Sequence, residues 1–543
     1  MLRVRWIGRV AYREVLAVQT ALFEHGQEQH LLLLEHPHVF TYGPRAELDK
    51  NLKCDPSEVG ADFVAVKRGG DITYHGPGQL VGYPILNLEN AIGATAHVCS
   101  VEQLVIDALA ELGVKNAGRL TGFAGVWLDA DNDRRRKISA IGVRLAHGRT
   151  MHGLALNVDP DMTYMRQHIV PCGVAEYPVT SLKEEGINVS MQDVVKIVSR
   201  LAIERWGGGE AEQQEVAWVH RPEDLSRFSR GEGPGEPVRM LGRLADAGVD
   251  GGVDLSERKP EWLRPKVQIG PEVLKIKRTL SELKLVTVCE EAGCPNLSEC
   301  WKDGTATFMV LGERCTRACG FCLVDTRKPE LPEADEPQRV AEAVASMGLT
   351  HAVLTMVARD DLADEGMGHI AQCVAAIKEL DSSIQVETLI SDARGTVSLD
   401  IILDAAPDVL NHNVETVPRL QRAVRPSAGY ARSLSVLSRA KAHGLTVKSG
   451  LIVGMGETDD EVFGVLADLA AIGVDIVTIG QYLRPTSHHL PVSRWVEPAI
   501  FDSYKRIGES LGIGPVESSP LTRSSYHAKE SAAHAVPVKI GSR

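Results

Sequence analysis

No stretch of this 543-residue chain approaches the ~18 consecutive apolar residues that a helix needs to cross a bilayer, and the run Leu31 to Leu34 is too short to try. Positive charge is in deficit. With 59 Lys and Arg against 72 Asp and Glu, the formal net charge is -13. That argues against a general nucleic-acid or anionic-membrane binder, while leaving room for a local basic patch. Acidic residues are missing before Glu14 in an Arg-rich start, a composition shared with mitochondrial presequences. Val10 to Leu22, however, already has the periodicity of an amphipathic helix of a first domain, so a cytoplasmic chain is expected. A secretory signal is also lacking, and the ten cysteines therefore read as thiols of a reducing compartment rather than as a disulfide framework. Walker and dinucleotide fingerprints are absent: the glycine-rich run from Arg68 to Gln79 has other spacings, and alone it implies a tight turn or close backbone approach to a ligand.

What the chain does have is a concentration of sulfur. Six of its ten cysteines fall between Cys289 and Cys322, as Cys289-x4-Cys294-x5-Cys300 and Cys315-x3-Cys319-x2-Cys322. Two triplets indicate two sites. Thiolates are soft ligands that favour iron–sulfur clusters or zinc. A structural zinc site takes four donors, whereas a [4Fe-4S] cluster on three cysteines keeps one iron open to another ligand. A zinc knuckle or an electron-transfer ferredoxin are the competing readings. Cys54, Cys99 and Cys373 fit neither triplet and are expected as buried small hydrophobes.

The length exceeds one typical core, so two or three domains are expected. Residues 1–225 mix strand-like runs (Leu31 to Leu34, Phe63 to Lys67, Val81 to Leu86, Gly125 to Leu128, Ile138 to Arg144, Met151 to Val158) with a helical stripe of Val101, Leu104, Val105, Ala108, Leu109 and Leu112, giving an α/β domain. Residues 226–259, rich in Gly, Pro and charge, read as a linker with one short helix near Met240 to Ala247. Residues 260–543 form the second domain. From Thr305 strand-like and helix-like runs alternate six times, which predicts parallel βα units curling into a partial (βα)6 barrel of TIM type. Barrel chemistry gathers at the C-terminal strand ends, and Cys315 follows the first strand by a few residues.

The Cys315 triplet, in that position, resembles the radical S-adenosylmethionine (radical SAM) superfamily. The resemblance narrows to lipoyl synthase through Arg258-Lys-Pro-Glu-Trp-Leu-Arg264, the Cys289 triplet, Glu387-Thr-Leu-Ile390, Asn411-His-Asn-Val-Glu-Thr416, Lys448-Ser-Gly450, Gly454-Met-Gly-Glu-Thr458, Gln481-Tyr-Leu-Arg-Pro-Thr486 and Arg523-Ser-Ser-Tyr-His527. It implies a radical SAM [4Fe-4S] cluster on Cys315, Cys319 and Cys322, and an auxiliary [4Fe-4S] cluster on Cys289, Cys294 and Cys300 with Ser525 as fourth ligand. The implied cofactors are these two clusters and S-adenosylmethionine. The implied reaction is radical removal of hydrogen from carbons 6 and 8 of a protein-bound octanoyl chain, followed by insertion of two auxiliary-cluster sulfides. The segments Thr355-Met-Val-Ala-Arg359-Asp360-Asp361-Leu362 and Leu389-Ile-Ser-Asp-Ala393 depart from the family wording at strand ends, so cofactor contact and a surface ion pair both stay open for Arg359 and Asp360. For Asn411 and Lys448, lining the cavity and plain structural hydrogen bonding stay open.

Residues 2 to about 220 resemble octanoyl-carrier-protein:protein octanoyltransferase, with the fold of biotin and lipoate protein ligases. The glycine-rich run, Lys137-Ile-Ser-Ala-Ile-Gly142, Met151-His-Gly-Leu-Ala-Leu-Asn157 and Ile169-Val-Pro-Cys172-Gly173 carry that resemblance. It implies Cys172 as nucleophile and Lys137 as its partner, with acyl substrate held by Arg68, Gly69, Gly70, Asp71, Ile72, Thr73, Tyr74, His75, Ala140, Ile141, Gly142, Gly153, Leu154 and Ala155. The implied partners are octanoyl acyl carrier protein, the lipoyl domains of 2-oxoacid dehydrogenases, glycine-cleavage H protein, and a reductase or ferredoxin as electron donor. Nucleic acid and membrane are not expected partners. An ATP-dependent lipoate ligase fused to a different sulfur-inserting enzyme, or a non-catalytic cluster-bearing adaptor, are the alternatives.

Overall fold

The computed structural model describes residues 1–88, 93–173, 177–216, 240–249, 251–253, 257–264, 271–287, 296–302, 305–393, 395–486 and 489–535. The chain forms two units, Met1–Ala217 and Trp218–Arg543.

The first unit carries strands β1 (Leu2–Arg9), β2 (Gln29–Glu35), β3 (Val39–Tyr42), β4 (Asp62–Ala65), β5 (Thr73–His75), β6 (Gln79–Ile85), β7 (Ala117–Leu120), β8 (Phe123–Leu128), β9 (Arg136–Ala146), β10 (Arg149–Asn157) and β11 (Ala211–Glu215). An 8-stranded sheet runs β11-β1-β2-β6-β10-β9-β8-β7, and a 3-stranded sheet runs β4-β3-β5. β1 is parallel to β2 and β11; from β2 through β6 to β7 the larger sheet is antiparallel. The helix Ala94–Glu111 lays its expected stripe on this sheet, with Val101, Leu104, Val105, Ala108 and Leu109 fully buried in one cluster with Leu31, Leu33 and Leu156. Burying a Val or Leu contributes about 1.5–3 kcal/mol, so this stripe anchors the sheet. The Arg-rich start is a strand. Leu2, Val4 and Trp6 face the core, while Arg3 and Arg5 on the other face pair with Glu28 and Glu212.

The second unit has β12 (Val286–Thr287), β13 (Thr305–Val310), β14 (His351–Met356), β15 (Gln385–Leu389), β16 (Val409–Asn411), β17 (Thr446–Val453), β18 (Ile476–Gln481) and β19 (Val516–Ser518) in one 8-stranded sheet, ordered as in the chain. β13 to β19 are parallel, and β12 is antiparallel to β13. The six expected strands are β13 to β18. β19 extends them by a seventh, and β12 caps the opposite edge. Among the described residues β12 and β19 each have one neighbour in this sheet, so the sheet does not close into a full barrel there. Helices alternate with the strands. The one at Asp459–Ala471 starts from a capping box in which Thr458 and Glu461 satisfy each other's backbone N–H groups.

The C-terminal part of the expected linker is folded. A helix at Met240–Asp246 buries Leu244; Val249 packs on Gly456, and Val253 N–H donates to Val492 O at 2.7 Å. A few apolar residues spaced among glycines suffice to hold it, a signal that composition averaged over the segment hides. Of the three unassigned cysteines, Cys373 is fully buried, Cys54 is half-buried and Cys99 is exposed. The expectation for Cys99 is thus corrected: it lies on the helix Ala94–Glu111 away from the core stripe.

Candidate active sites

In the first unit a cavity of about 170 Å³ opens among β5, β6, β9 and β10. Arg68, Gly69, Gly70, Asp71, Thr73, His75, Ala140, Ile141, Gly142, Gly153, Leu154 and Ala155 line it with Lys137 and Cys172. Lys137 Nζ stands 3.5 Å from Cys172 Sγ. The lysine is delivered by β9, 7% exposed, its ammonium 5.3 Å from the centre of the Trp127 ring. Gly125 leaves it room, since a Cβ there would fall 2.4 Å from Lys137 Cε. Cys172 occupies a tight turn with φ 57°, and its N–H donates to Ile72 O at 2.8 Å, tying the thiol to the glycine-rich run. Asp71 steadies the same turn by accepting from Asn51 Nδ2 at 2.9 Å and from Ile72 N–H at 2.6 Å.

Ile72 and Tyr74 depart from the expected lining. Both are fully buried in a cluster with Phe40 and Met165. Successive strand residues face opposite ways, so Thr73 and His75 look into the cavity while Tyr74 looks away. Residues outside the expected set also line the cavity: Tyr12, Tyr83, Phe123 and His152. His152 lies in the stretch Met151 to Asn157 that carries the family resemblance; Tyr12 and Tyr83 come from distant elements and had no local signal. His75 is held by Gln79 (Nδ1 to Oε1, 2.8 Å), whose amide donates to Asn157 Oδ1 at 2.9 Å. Burial, then His36, drives its pKa well below the ordinary value, so the ring is neutral. Arg68, 9% exposed, donates to Thr41 O and Oγ1 at 2.8 and 2.9 Å and to Gly69 O at 3.0 Å.

In the second unit the Cys315 loop leaves the end of β13 and is pinned from several strand ends. Thr316 Oγ1 lies 2.9 Å from Ala358 O and 2.8 Å from Asp360 Oδ2, either of which can accept its one proton. Arg317, between Cys315 and Cys319, donates to both Asp360 oxygens at 2.7 and 2.8 Å and also pairs with Asp392. Arg359 grips Asp361 with two bonds of 2.9 Å and reaches Leu311 O at 3.3 Å. Arg359 is 1% exposed, and the side chains of Arg317 and Asp360 are 5% and 4% exposed. Asp360 and Asp392 thus make buried braces for the cysteine loop, which removes the surface ion pair for Asp360, while Arg359 is itself buried but pairs with the exposed Asp361. From the segment that follows β18, His489 Nε2 meets Cys322 O at 2.9 Å and Leu490 N–H donates to Gly320 O at 3.0 Å.

Burial pushes the three thiols up, Cys319 to about 12, and neighbouring cysteines add to the rise at Cys319 and Cys322. Deprotonating such a trio calls for a compensating soft cation, and iron suits thiolate donors. Among the described residues no three His, Cys, Asp or Glu side chains converge closely enough to share one metal ion. A cluster, with a different iron for each thiolate, sets its ligands further apart.

Cys289 and Cys294 lie outside the described residues. Cys300 is in the helix Leu297–Lys302, which is tied to the strap carrying Ser525. Asn296 Nδ2 donates to Leu521 O at 2.7 Å, and Tyr526 OH to Glu299 Oε1 at 3.2 Å. Burial, Glu299 and Cys300 push Tyr526 up to about 12. Asn413 Nδ2 donates to Ser524 Oγ at 2.8 Å and to Glu415 Oε1 at 3.1 Å. The Glu415 charge in turn acts on Cys319 and Cys322. Gly480 lets the strap lie against β18, for a Cβ there would meet Thr522 O at 2.0 Å. Asn411 and Lys448 are both fully buried around Glu387: Lys448 Nζ reaches its oxygens at 3.0 and 3.2 Å, and Asn411 Nδ2 donates at 3.0 Å. Structural hydrogen bonding is therefore present at both.

A parallel βα sheet with a three-cysteine loop behind its first strand defines the second unit as a radical SAM enzyme, and the radical SAM superfamily model matches residues 309–469. The model for the N-terminal domain of lipoyl synthase matches residues 249–294. Lipoyl synthase of Chlorobium limicola is 53% identical over 277 residues, which is 50% of this chain and 95% of that protein; the Mycobacterium leprae enzyme is 52% identical over 273 residues, 50% and 87%. The chain belongs to the lipoyl synthase family through this second half. Its first unit matches the lipoyl protein ligase A/B catalytic domain over residues 11–201. Among solved structures, a bipartite lipoate protein ligase from Thermoplasma acidophilum is 17% identical with a TM-score of 0.34, covering 40% of this chain and 87% of that one. Methylornithine synthase is 16% identical with a TM-score of 0.32, covering 39% and 71%. The chain is an enzyme that joins a lipoate ligase- or transferase-type catalytic domain to a radical SAM lipoyl synthase domain, a bifunctional catalyst of lipoate biosynthesis.

Proposed function

We propose that the first unit transfers octanoate from octanoyl acyl carrier protein to a carrier lysine through an acyl-enzyme at Cys172, and that the second unit sulfurates the same chain. The contact between Lys137 Nζ and Cys172 Sγ at 3.5 Å carries the first part. With the thiol proton on Lys137, the Cys172 thiolate attacks the thioester carbonyl, the C–S bond to the carrier protein breaks, and the departing thiolate takes that proton. The amine of the acceptor lysine then attacks the acyl-cysteine and gives its proton to Lys137, restoring the pair. Thioester to thioester to amide runs downhill, so ATP is not required. Arg68, Asp71 and Thr73 belong to the wall that positions the acyl group.

Cys315, Cys319 and Cys322 would hold one [4Fe-4S] cluster; Cys289, Cys294, Cys300 and Ser525 would hold the other. When bound, a reduced cluster with S-adenosylmethionine supplies a carbon radical able to take hydrogen from an unactivated alkyl chain, chemistry beyond any acid or base side chain. The protein's own contribution is rigidity: Arg317 with Asp360 and Asp392 fixes one cysteine loop, and Asn296, Glu299 and Asn413 fix the strap around Ser525. Lipoyl domains of 2-oxoacid dehydrogenases and glycine-cleavage H protein are the acceptors, and a ferredoxin or a reductase is the electron source. Thiol ligation fits a reducing cytoplasm. Carrier acylation from octanoyl acyl carrier protein without ATP, abolished in Cys172→Ser, tests the transferase; a requirement for ATP would assign ligase chemistry instead. Iron near eight per chain, with 5′-deoxyadenosine released under strong reductant, tests the second unit.

A further inference from the structure

Two buried histidines line the first unit's cavity, with a third beside them, and they are not alike. His36 is satisfied at both nitrogens, by Val10 O at 2.7 Å and Tyr83 OH at 2.8 Å. His75 engages Gln79 Oε1 at 2.8 Å and Thr41 Oγ1 at 3.5 Å. His152 lines the cavity, is 2% exposed, and has a dry Nδ1 with no hydrogen-bond partner. Its backbone is held at φ 62° within β10, with its N–H on Gln19 Oε1 at 3.2 Å. A left-handed conformation at a residue other than Gly costs free energy and persists where surrounding structure over-determines it, often at functional sites. Gly153 next to it cannot accept a side chain, because a Cβ would lie 2.3 Å from Gly82 O. The backbone is thus fixed on both sides of a ring that meets Tyr83 edge-on, with centres 6.4 Å apart, and whose Nδ1 has no hydrogen-bond partner.

Burial, then Arg68 and Arg144, drives the His152 pKa down to about 3, so the imidazole is neutral and offers one N–H. An orphaned buried N–H is rarer than an under-used acceptor. With Nδ1 dry, the proton belongs on Nε2. A neutral imidazole that donates to a carbonyl is a known way to stabilise developing negative charge without giving up a proton.

We infer that His152 Nε2–H donates to the carbonyl oxygen of the acyl group in this cavity, holding it as the thioester at Cys172 is made and broken. The inference rests on the acyl-transfer reading. As the Cys172 thiolate adds, the carbonyl π pair moves to oxygen, where this donor meets it; collapse returns the pair and expels the leaving thiolate, with no net proton taken from His152.

The test uses the full chain, octanoyl acyl carrier protein, and intact-mass detection of octanoyl-Cys172 on a rapid-quench time course. In His152→Gln, an amide can reach the position of Nε2; in His152→Asn, which tolerates a left-handed backbone, the amide stops at the Nδ1 position. The Asn variant is expected to acylate about 10²–10³-fold more slowly, with an unchanged concentration of carrier protein at half-maximal rate, and the Gln variant to recover to within about tenfold of wild type. Equal rates in wild type and Asn variant would overturn the inference, as would an Asn defect confined to the half-maximal concentration or equal defects in both variants. Absence of octanoyl-Cys172 in the wild type would instead overturn the acyl-transfer reading beneath it.

Discussion

Asn413 and Ser524 are 111 positions apart in sequence, and the Asn413 amide donates to the Ser524 hydroxyl at 2.8 Å. The same amide donates to Glu415, whose charge acts on Cys319 and Cys322. One side chain thereby joins the strap that carries Ser525 to the wall of the radical SAM loop.

Asn413→Ala removes that donor from the half-buried Ser524 oxygen, a loss of about 0.5–1.5 kcal/mol in local stability. The expected outcome is selective: iron falls from near eight toward about four per chain, while the 5′-deoxyadenosine formed per remaining cluster is kept. Iron assay with electron paramagnetic resonance of the reduced protein checks it. Full iron content in this variant would show that the strap is held without Asn413.

Burial alone would push the Glu387 carboxyl up, yet Lys448 and then His351 beside it hold it down at about 2. Its folded value lies below the unfolded one of about 4.3, so the stabilisation is full above about pH 4.5 and is lost as pH falls toward 2. Lys448→Met breaks a buried pair and is expected to cost about 3–5 kcal/mol at neutral pH. Without Lys448 the carboxyl moves up, so acid helps the variant while it harms the wild type. The gap between their urea midpoints should narrow from pH 4.5 to 2. A gap independent of pH would remove Glu387 from the account.

Lys137→Ala leaves Cys172 without its ammonium neighbour. Octanoyl transfer should fall by about 10²–10⁴-fold, the range typical of a positioned acid–base group, while the thermal midpoint of the first unit stays within a few degrees. Transfer and acyl-enzyme mass should fall together. A lysine needed for folding alone would lower the midpoint and spare the rate of the folded fraction.

The parts legible in sequence were those whose signal is local. Parallel strands buried on both faces read as apolar runs, so the six alternations from Thr305 were legible and correspond to β13 to β18, and the stripe from Val101 to Leu109 fixed its helix. β12, β19 and β5, at two or three residues each, carry too little pattern to register. β1 was masked by its arginines, because their partners Glu28 and Glu212 are remote in sequence. The nearness of Lys137 to Cys172 is likewise a product of tertiary folding, legible only through family resemblance. Tyr12 and Tyr83 reach the cavity from α and β elements with no motif of their own, and the bracing role of Asp360 and Asp392 depends on strand ends meeting at the mouth of the barrel.

The most direct measurement follows one carrier lysine through both chemistries. A lipoyl domain is incubated with this chain, octanoyl acyl carrier protein, S-adenosylmethionine and a strong reductant without ATP, and its mass is read over time. The account predicts octanoylation first, then conversion of that same chain to lipoyl. Cys172→Ser should block both steps, and a Cys315→Ala, Cys319→Ala, Cys322→Ala variant should halt at the octanoyl stage. A domain left unmodified without ATP, or an octanoyl chain that the fully cluster-loaded protein never sulfurates, would contradict it.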